Sequence, residues 1–264
     1  MNKTRQATGA AGLATVLILL WGAACASPAD SEFEALAQEY LADLPKFSPV
    51  NATLIGDHSA DARLDQVDAR ARSRVRTLYK GLLRKLSAID RNALSRANQV
   101  DAELLRNELE YEIWSIDTFE DWAWDPLVYV RLAGSSIYGL VARDFAPLET
   151  RLTSAAARLE QMPRFFRQAR ASIDPARVPK IHAETAIKQN PGLNSIIETM
   201  IVPHMGEVTP ATRQRLEAAI VVAKDAVAKQ QTWLEDELLP RAAGDFRIGA
   251  ALFDAKLAFT LNSS

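Results

Sequence analysis

The 264-residue sequence contains one cysteine, Cys25, which is too few for an intrachain disulfide or for a metal site built from several cysteines. Histidine is also scarce, with only His58, His182 and His204. No two of them are four residues apart, and the zinc-peptidase motif H-E-x-x-H is absent. Glu184 is two positions from His182, so on a helix the two side chains would point to different sides. We therefore predict no metal site and no cofactor in this chain.

The chain also has no large excess of positive or negative charge. The 31 lysine and arginine residues face 33 aspartate and glutamate residues, which gives a formal net charge of -2. Because a nucleic-acid surface needs clustered basic charge, we expect no nucleic-acid partner. Hydrophobic residues make up 48% of the chain and charged residues 24%, which is typical of a globular protein with a large core.

The amino-terminal apolar segment, residues 13–21, is too short to span a bilayer comfortably. It follows the basic residues Lys3 and Arg5 and precedes a group of small residues, the arrangement of a secretory signal. We predict a signal peptide at residues 1–26 and one helical domain at residues 27–264. The protein is then exported, to the periplasm or to the cell envelope.

Two interpretations of the end of this signal are open. Ala24-Cys25-Ala26 fits ordinary cleavage and would give a soluble periplasmic protein. Gly22-Ala23-Ala24-Cys25 resembles a bacterial lipobox, although Gly22 stands where leucine is usual. We favour the second because the chain's one cysteine lies where the apolar run ends. Cys25 is thus the predicted lipidation site, and the lipid anchor is the only membrane contact we expect.

No segment alternates between apolar and polar residues with a period of two, whereas steps of three and four recur along the chain. This predicts an all-α fold, an array of long helices that pack antiparallel through short loops. Residues 148–173 carry a seven-residue seam, in which we expect Pro163 to kink the helix rather than end it. A second long helix is predicted to begin at Thr209 and Pro210 and to end near Pro240.

The stretch 121–139 is harder to interpret. We predict a loop at residues 121–126, and either a strand or a buried helix at residues 127–132. Four aromatic residues here could line a cleft: Trp122, Trp124, Tyr129 and Tyr138. The alternative is that they anchor neighbouring helices, which we favour because tryptophan buries so much apolar area.

Nothing in the sequence marks a catalytic residue. Ser135 and Ser136 lack the G-x-S-x-G context of a nucleophile. The carboxylates Glu108, Glu110 and Glu112 alternate along one predicted helix, which is usually the sign of a solvated face.

Several stretches together resemble one family, the bacterial domain-of-unknown-function 885 proteins. The matching stretches, in chain order, are residues 48–58 (SPVNATLIGDH), 125–129 (DPLVY), 143–152 (RDFAPLETRL), 158–163 (RLEQMP), 177–182 (RVPKIH), 189–192 (QNPG), 244–249 (GDFRIG) and 253–257 (FDAKL).

The resemblance implies a helical, zinc-metallopeptidase-like protein whose two halves flank a deep cleft, with the zinc motif well beyond the Gly-Asp-Phe-Arg region. This chain would then be the amino-terminal half, a scaffold and cleft wall that is not catalytic alone. Zinc is implied only for a full-length member, and a peptide is the implied substrate. The last apolar residues, Leu257, Phe259 and Leu261, have nothing after them to cover them, so we expect the missing half or a protein partner to do so. The alternative is a complete, non-catalytic envelope lipoprotein that binds a partner or peptide.

Overall fold

The computed structural model describes residues 27–261, and within that range the chain is helical without a β-strand. The all-α prediction is confirmed. The helices are α1 (Pro28–Phe47), α2 (Pro49–Ile55), α3 (Ala69–Ala88), α4 (Arg96–Trp114), α5 (Asp121–Trp124), α6 (Pro126–Val141), α7 (Leu148–Leu159), α8 (Met162–Ser172), α9 (Lys180–Gln189), α10 (Gly192–Ile196), α11 (Pro210–Trp233) and α12 (Ala250–Leu261). The signal peptide and Cys25 lie outside the described residues, so those predictions stay predictions.

Side-chain caps set the starts of the long helices. Ser27, Asp68, Ser95 and Thr209 each accept a hydrogen bond from a backbone N–H in the first turn of α1, α3, α4 and α11, respectively. Each cap satisfies one of the amide groups that a helix leaves unpaired at its amino end. The predicted start of α11 is confirmed, with Pro210 at its first position.

The smaller of two apolar cores lies between α1, α3 and α4, and its buried residues include Phe33, Leu82 and Leu109. Helices α3 and α4 run antiparallel, since Arg106 of α4 bonds Ser87 at the end of α3, while Arg76 in the first half of α3 bonds Asp117 just after α4. Asp30 of α1 ties α1 to α4, because its carboxylate accepts from the backbone N–H of Ser95 and from Asn98. These bonds, the Ser95 amide first, lower the pKa of Asp30 to about 2.

The larger core is built around the predicted seam on α7 and α8. Every seam position except Leu148 is buried, and the buried set is Leu152, Ala155, Leu159, Met162, Phe166, Ala169 and Ile173. The seam packs antiparallel against α6, as predicted, because Arg151 and Arg158 reach back to Val141 and Ser136, respectively. Against α11 it runs in the same direction, since Glu149 at the start of α7 bonds Thr212 at the start of α11, and Arg170 near the end of α8 bonds Gln230 near the end of α11.

Two local predictions need correction, and one open alternative is decided. Pro163 separates two helices instead of kinking one, because it has no N–H for the carbonyl of Leu159 and the helical hydrogen bonds resume only at Phe165. Residues 121–124 form a helical turn rather than a loop. Residues 127–132, for which a strand and a buried helix were both open, form part of helix α6.

Candidate functional site

A surface groove of about 600 Å³ lies along α6, opposite the end of α9 and the start of α10. Its apolar wall comes from both sides, and Arg131, Ser135, Tyr138 and Gln189 supply the polar groups. The full lining is Leu127, Val130, Arg131, Gly134, Ser135, Tyr138, Gln189, Gly192, Leu193 and Ile196. An apolar groove with a few polar groups is the usual form of a ligand site.

Helix periodicity explains which residues of α6 reach this groove. Tyr138 is 52% exposed in it, whereas Tyr129 is buried on the other side of the helix. The two are nine residues apart, which is about two and a half helical turns and therefore opposite faces. Gly134, one helical turn before Tyr138, also lines the groove. A Cβ at this position would be in ordinary van der Waals contact with Ile196.

The other three aromatic residues predicted for a cleft lie away from the groove lining. Tyr129 donates a hydrogen bond of 2.6 Å from its hydroxyl to the carbonyl of Trp122. The Trp122 indole donates to the carbonyl of Ile116, and the guanidinium of Arg72 stacks 3.8 Å from its ring centroid. Trp124 donates to the Phe119 carbonyl. Through these contacts Trp122 packs on α3 and Tyr129 joins α6 to α5.

The histidines are spread over the molecule, each paired with a different carboxylate. His58 Nδ1 lies 3.0 Å from Asp61, His182 Nδ1 lies 3.1 Å from Asp125, and His204 Nδ1 lies 2.7 Å from Glu207. Glu198, which the sequence places near His204, is paired with Lys224. Among residues 27–261 no three histidine, cysteine or carboxylate side chains are grouped as metal ligands.

One of the alternating glutamates departs from the predicted solvated face. Glu112 is partly buried on α4, and this burial, with the nearby charges of Glu108 and Asp121, raises its pKa to about 7. Burial also raises the pKa of Glu108 and, together with Asp125, that of Asp121. These acids lie on α4 and α5, and the groove lining includes none of them.

A buried arginine that the sequence did not single out holds the amino-terminal part of the larger core together. Arg158 is fully buried and donates to the carbonyls of Arg63 and Ser136 and to Thr53 Oγ1 at 2.9, 2.7 and 2.6 Å, respectively. Its guanidinium is 4.0 Å from Asp61. Burial lowers its pKa to about 10, which leaves it charged at neutral pH. The only hint in the sequence is a charged residue next to the apolar seam.

Comparison with known proteins fits this architecture. The model of a family described as "Bacterial protein of unknown function (DUF885)" matches residues 49–264, most of the chain. The chain belongs to this family. No curated protein matches it.

A solved structure resembles the DUF885 chain closely. It is described as "a putative lipoprotein of unknown function from Shewanella oneidensis", and it shares 28% sequence identity with a TM-score of 0.78. The match covers 86% of the DUF885 chain but 42% of the Shewanella protein, so the chain spans less than half the length of this relative.

Helix α12 of the DUF885 chain has two apolar sides. Its inner side reaches α4, where Phe259 packs 5.7 and 5.5 Å from the rings of Tyr111 and Trp114. Asn107 donates to the Phe259 carbonyl. The outer side carries three exposed side chains one helical turn apart: Phe253 at 55%, Leu257 at 41% and Leu261 at 61%. No helix in the described part of the chain is long and apolar enough to cross a membrane.

Proposed function

We propose that this chain is the helical scaffold and cleft-wall half of a longer, exported DUF885 protein. One observation carries the proposal: the outer side of α12 presents Phe253, Leu257 and Leu261 to solvent, although the same helix is already packed on α4. A surface helix normally turns polar residues outward. An apolar stripe on its outer side favours a second body packed there.

The length comparison supports this body being a second half of the same protein. The Shewanella relative is more than twice as long as the part that this chain matches. In the proposal, the uncovered part packs on α12 and supplies any zinc and the general base that zinc-assisted hydrolysis of a peptide requires. This half positions the second one and lends the groove around Tyr138 as one wall of the substrate cleft.

The envelope location is part of the same proposal. Its support is the signal-like start of the sequence and the description of the Shewanella relative as a putative lipoprotein. In this view Cys25 carries the lipid, and Ser27, two residues later, begins the folded domain as the cap of α1. Replacement of Cys25 by alanine should release the protein from the membrane fraction.

The test compares the 264-residue chain with the longer reading frame, if the gene continues past Ser264. Amide hydrogen exchange along α12 should be fast in the short chain and at least tenfold slower in the longer protein. Phe253→Asp with Leu257→Asp should leave the fold of the short chain unchanged and destabilise the longer protein. A continuing frame whose product leaves α12 unprotected would contradict the proposal.

A second candidate function remains, a non-catalytic envelope lipoprotein that binds a protein partner or peptide. The groove around Tyr138 favours it, because its apolar wall and polar groups suit an extended peptide without any catalytic residue. A stop codon directly after Ser264 would favour this candidate. Stoichiometric, tight zinc binding by the short chain alone would contradict both candidates.

A further inference from the structure

A cavity of about 160 Å³ lies where the end of α1, the start of α2, the segment 63–66 and the first part of α3 meet. Its lining includes three cationic side chains, Lys46, Arg63 and Arg74, and the amide of Gln66. The remaining lining residues are apolar, namely Phe47, Pro49, Leu64, Ala71 and Val75. No carboxylate is part of the lining, although three positive charges share one small volume.

Two of these three cations, the arginines, form no ion pair within the described residues. Arg63 donates to the backbone carbonyl of Lys46, and Arg74 donates to the side-chain oxygen of Gln66. Within the described residues neither arginine has a carboxylate oxygen within 4.0 Å, and Lys46 pairs only with Asp43, three residues before it. A guanidinium has five N–H donors, so each arginine keeps several donors for a ligand.

The nearby carboxylates are committed elsewhere. Asp65 follows Leu64 of the lining, but it accepts from Ser48 Oγ at 3.2 Å and from the amide of Val50 at 3.0 Å, and it is buried. Burial raises the pKa of Asp65, although these two bonds act to lower it. Both of these bonds engage Asp65 with α2 and its cap, and Asp65 is not part of the cavity lining.

We propose that this cavity is a binding site for a small oxyanion, a phosphate group in particular. Phosphate offers several acceptor oxygens around one centre, and arginine binds such oxygens with two parallel hydrogen bonds. The volume admits a phosphate group but not a long ligand. The phosphate can come from a free phosphate or phosphomonoester, or from the headgroup of an anionic phospholipid at the membrane surface.

The test for a free oxyanion uses inorganic phosphate at constant ionic strength, so that general charge screening does not change. Isothermal titration of the purified protein should give saturable binding at one site. The double substitution Arg63→Gln and Arg74→Gln should weaken binding at least tenfold, which is about 1.4 kcal/mol. Arg84→Gln, on the same helix as Arg74 but ten residues further along and outside this cavity, should bind like the parent protein.

Folding and the lipid source are controlled separately. Arg74→Gln alone tests the site if the double variant melts at a lower temperature than the parent, since Arg74 has only the one bond to Gln66. For the lipid, vesicles of phosphatidylglycerol are compared with vesicles of phosphatidylcholine in a Cys25→Ser background, which removes any anchor.

Each outcome decides between the alternatives. Phosphate binding that depends on Arg74 supports a site for a free oxyanion. Sedimentation with phosphatidylglycerol vesicles that depends on Arg74, without binding of inorganic phosphate, supports a lipid headgroup. Absence of both, or an equal loss in Arg84→Gln, overturns the proposal.

Discussion

Replacement of Arg158 by methionine should destabilise the larger core strongly. Methionine fills much of the same volume, so the test removes the charge and the hydrogen bonds rather than opening a large cavity. The carbonyls of Arg63, Ser136 and Pro49, together with Thr53 Oγ1, would lose the hydrogen bonds that Arg158 donates, and Pro49 would keep the bond from Thr53 Oγ1. Asp61, at 4.0 Å, would lose its buried counter-charge.

The magnitude follows from the cost of breaking a buried ion pair, which is about 3–5 kcal/mol when one partner is removed. We expect Arg158→Met to lower the free energy of unfolding by about 4 kcal/mol, a large share of a typical domain's stability. Arg158→Lys keeps the charge but has too few donors to reach every acceptor, so it should cost about 2 kcal/mol.

Urea unfolding followed by circular dichroism measures these differences, with Arg143→Met as the matched control. Arg143 also donates to a backbone carbonyl, that of Leu54, but it is exposed, and its loss should cost less than about 0.5 kcal/mol. The reasoning about the Arg158 network is refuted if Arg158→Met lowers the unfolding free energy by less than 1 kcal/mol, or if Arg143→Met costs as much.

Two further predictions concern the backbone and pH. Gly244→Ala should lower the unfolding free energy by about 2–3 kcal/mol, because the new Cβ would lie 2.0 Å from the Arg177 carbonyl oxygen. The control is Gly206→Ala, whose Cβ meets no atom within 4 Å and should have little effect. Urea unfolding of both variants checks this. The pKa of Glu112 is raised from 4.5 to about 7 in the folded protein. Between these two pH values the folded protein keeps a proton on Glu112 that the unfolded chain has already released. The Glu112 contribution therefore makes the unfolding free energy fall by up to about 3 kcal/mol as pH rises from about 4.5 to above 7. Glu112→Gln should flatten this fall, and Glu110→Gln, at an exposed site, should not; unfolding at pH 5 and pH 8 separates the two.

Local chemistry is what made much of the fold predictable. The cap Thr209 and the seam on α7 and α8 are both set by residues within a few positions of each other. Such features depend on hydrogen bonds and spacing along one helix, which the sequence shows directly.

Features that depend on distant parts of the chain were not visible. Arg158 is buried because segments about 100 residues earlier supply its acceptors, and no local pattern shows them. The groove around Tyr138 likewise needs α9 and α10 to lie opposite α6. Trp122 and Tyr138 looked equivalent in sequence, and only the direction of each side chain on its helix separates an anchor from a groove residue.

The two sides of α12 bring these arguments together. Its inner contact through Phe259 fixes the direction of the helix on α4, and that direction determines which residues face outward. Had the outward residues been polar, α12 would be an ordinary edge of the domain. Instead Phe253, Leu257 and Leu261 follow one another at steps of four, so one continuous apolar strip lies beyond the aromatic cluster of Tyr111 and Trp114. A strip of that form on an already docked helix is suited to a further helix laid along it, which is why hydrogen exchange on α12 separates the proposed functions more sharply than any change in the groove.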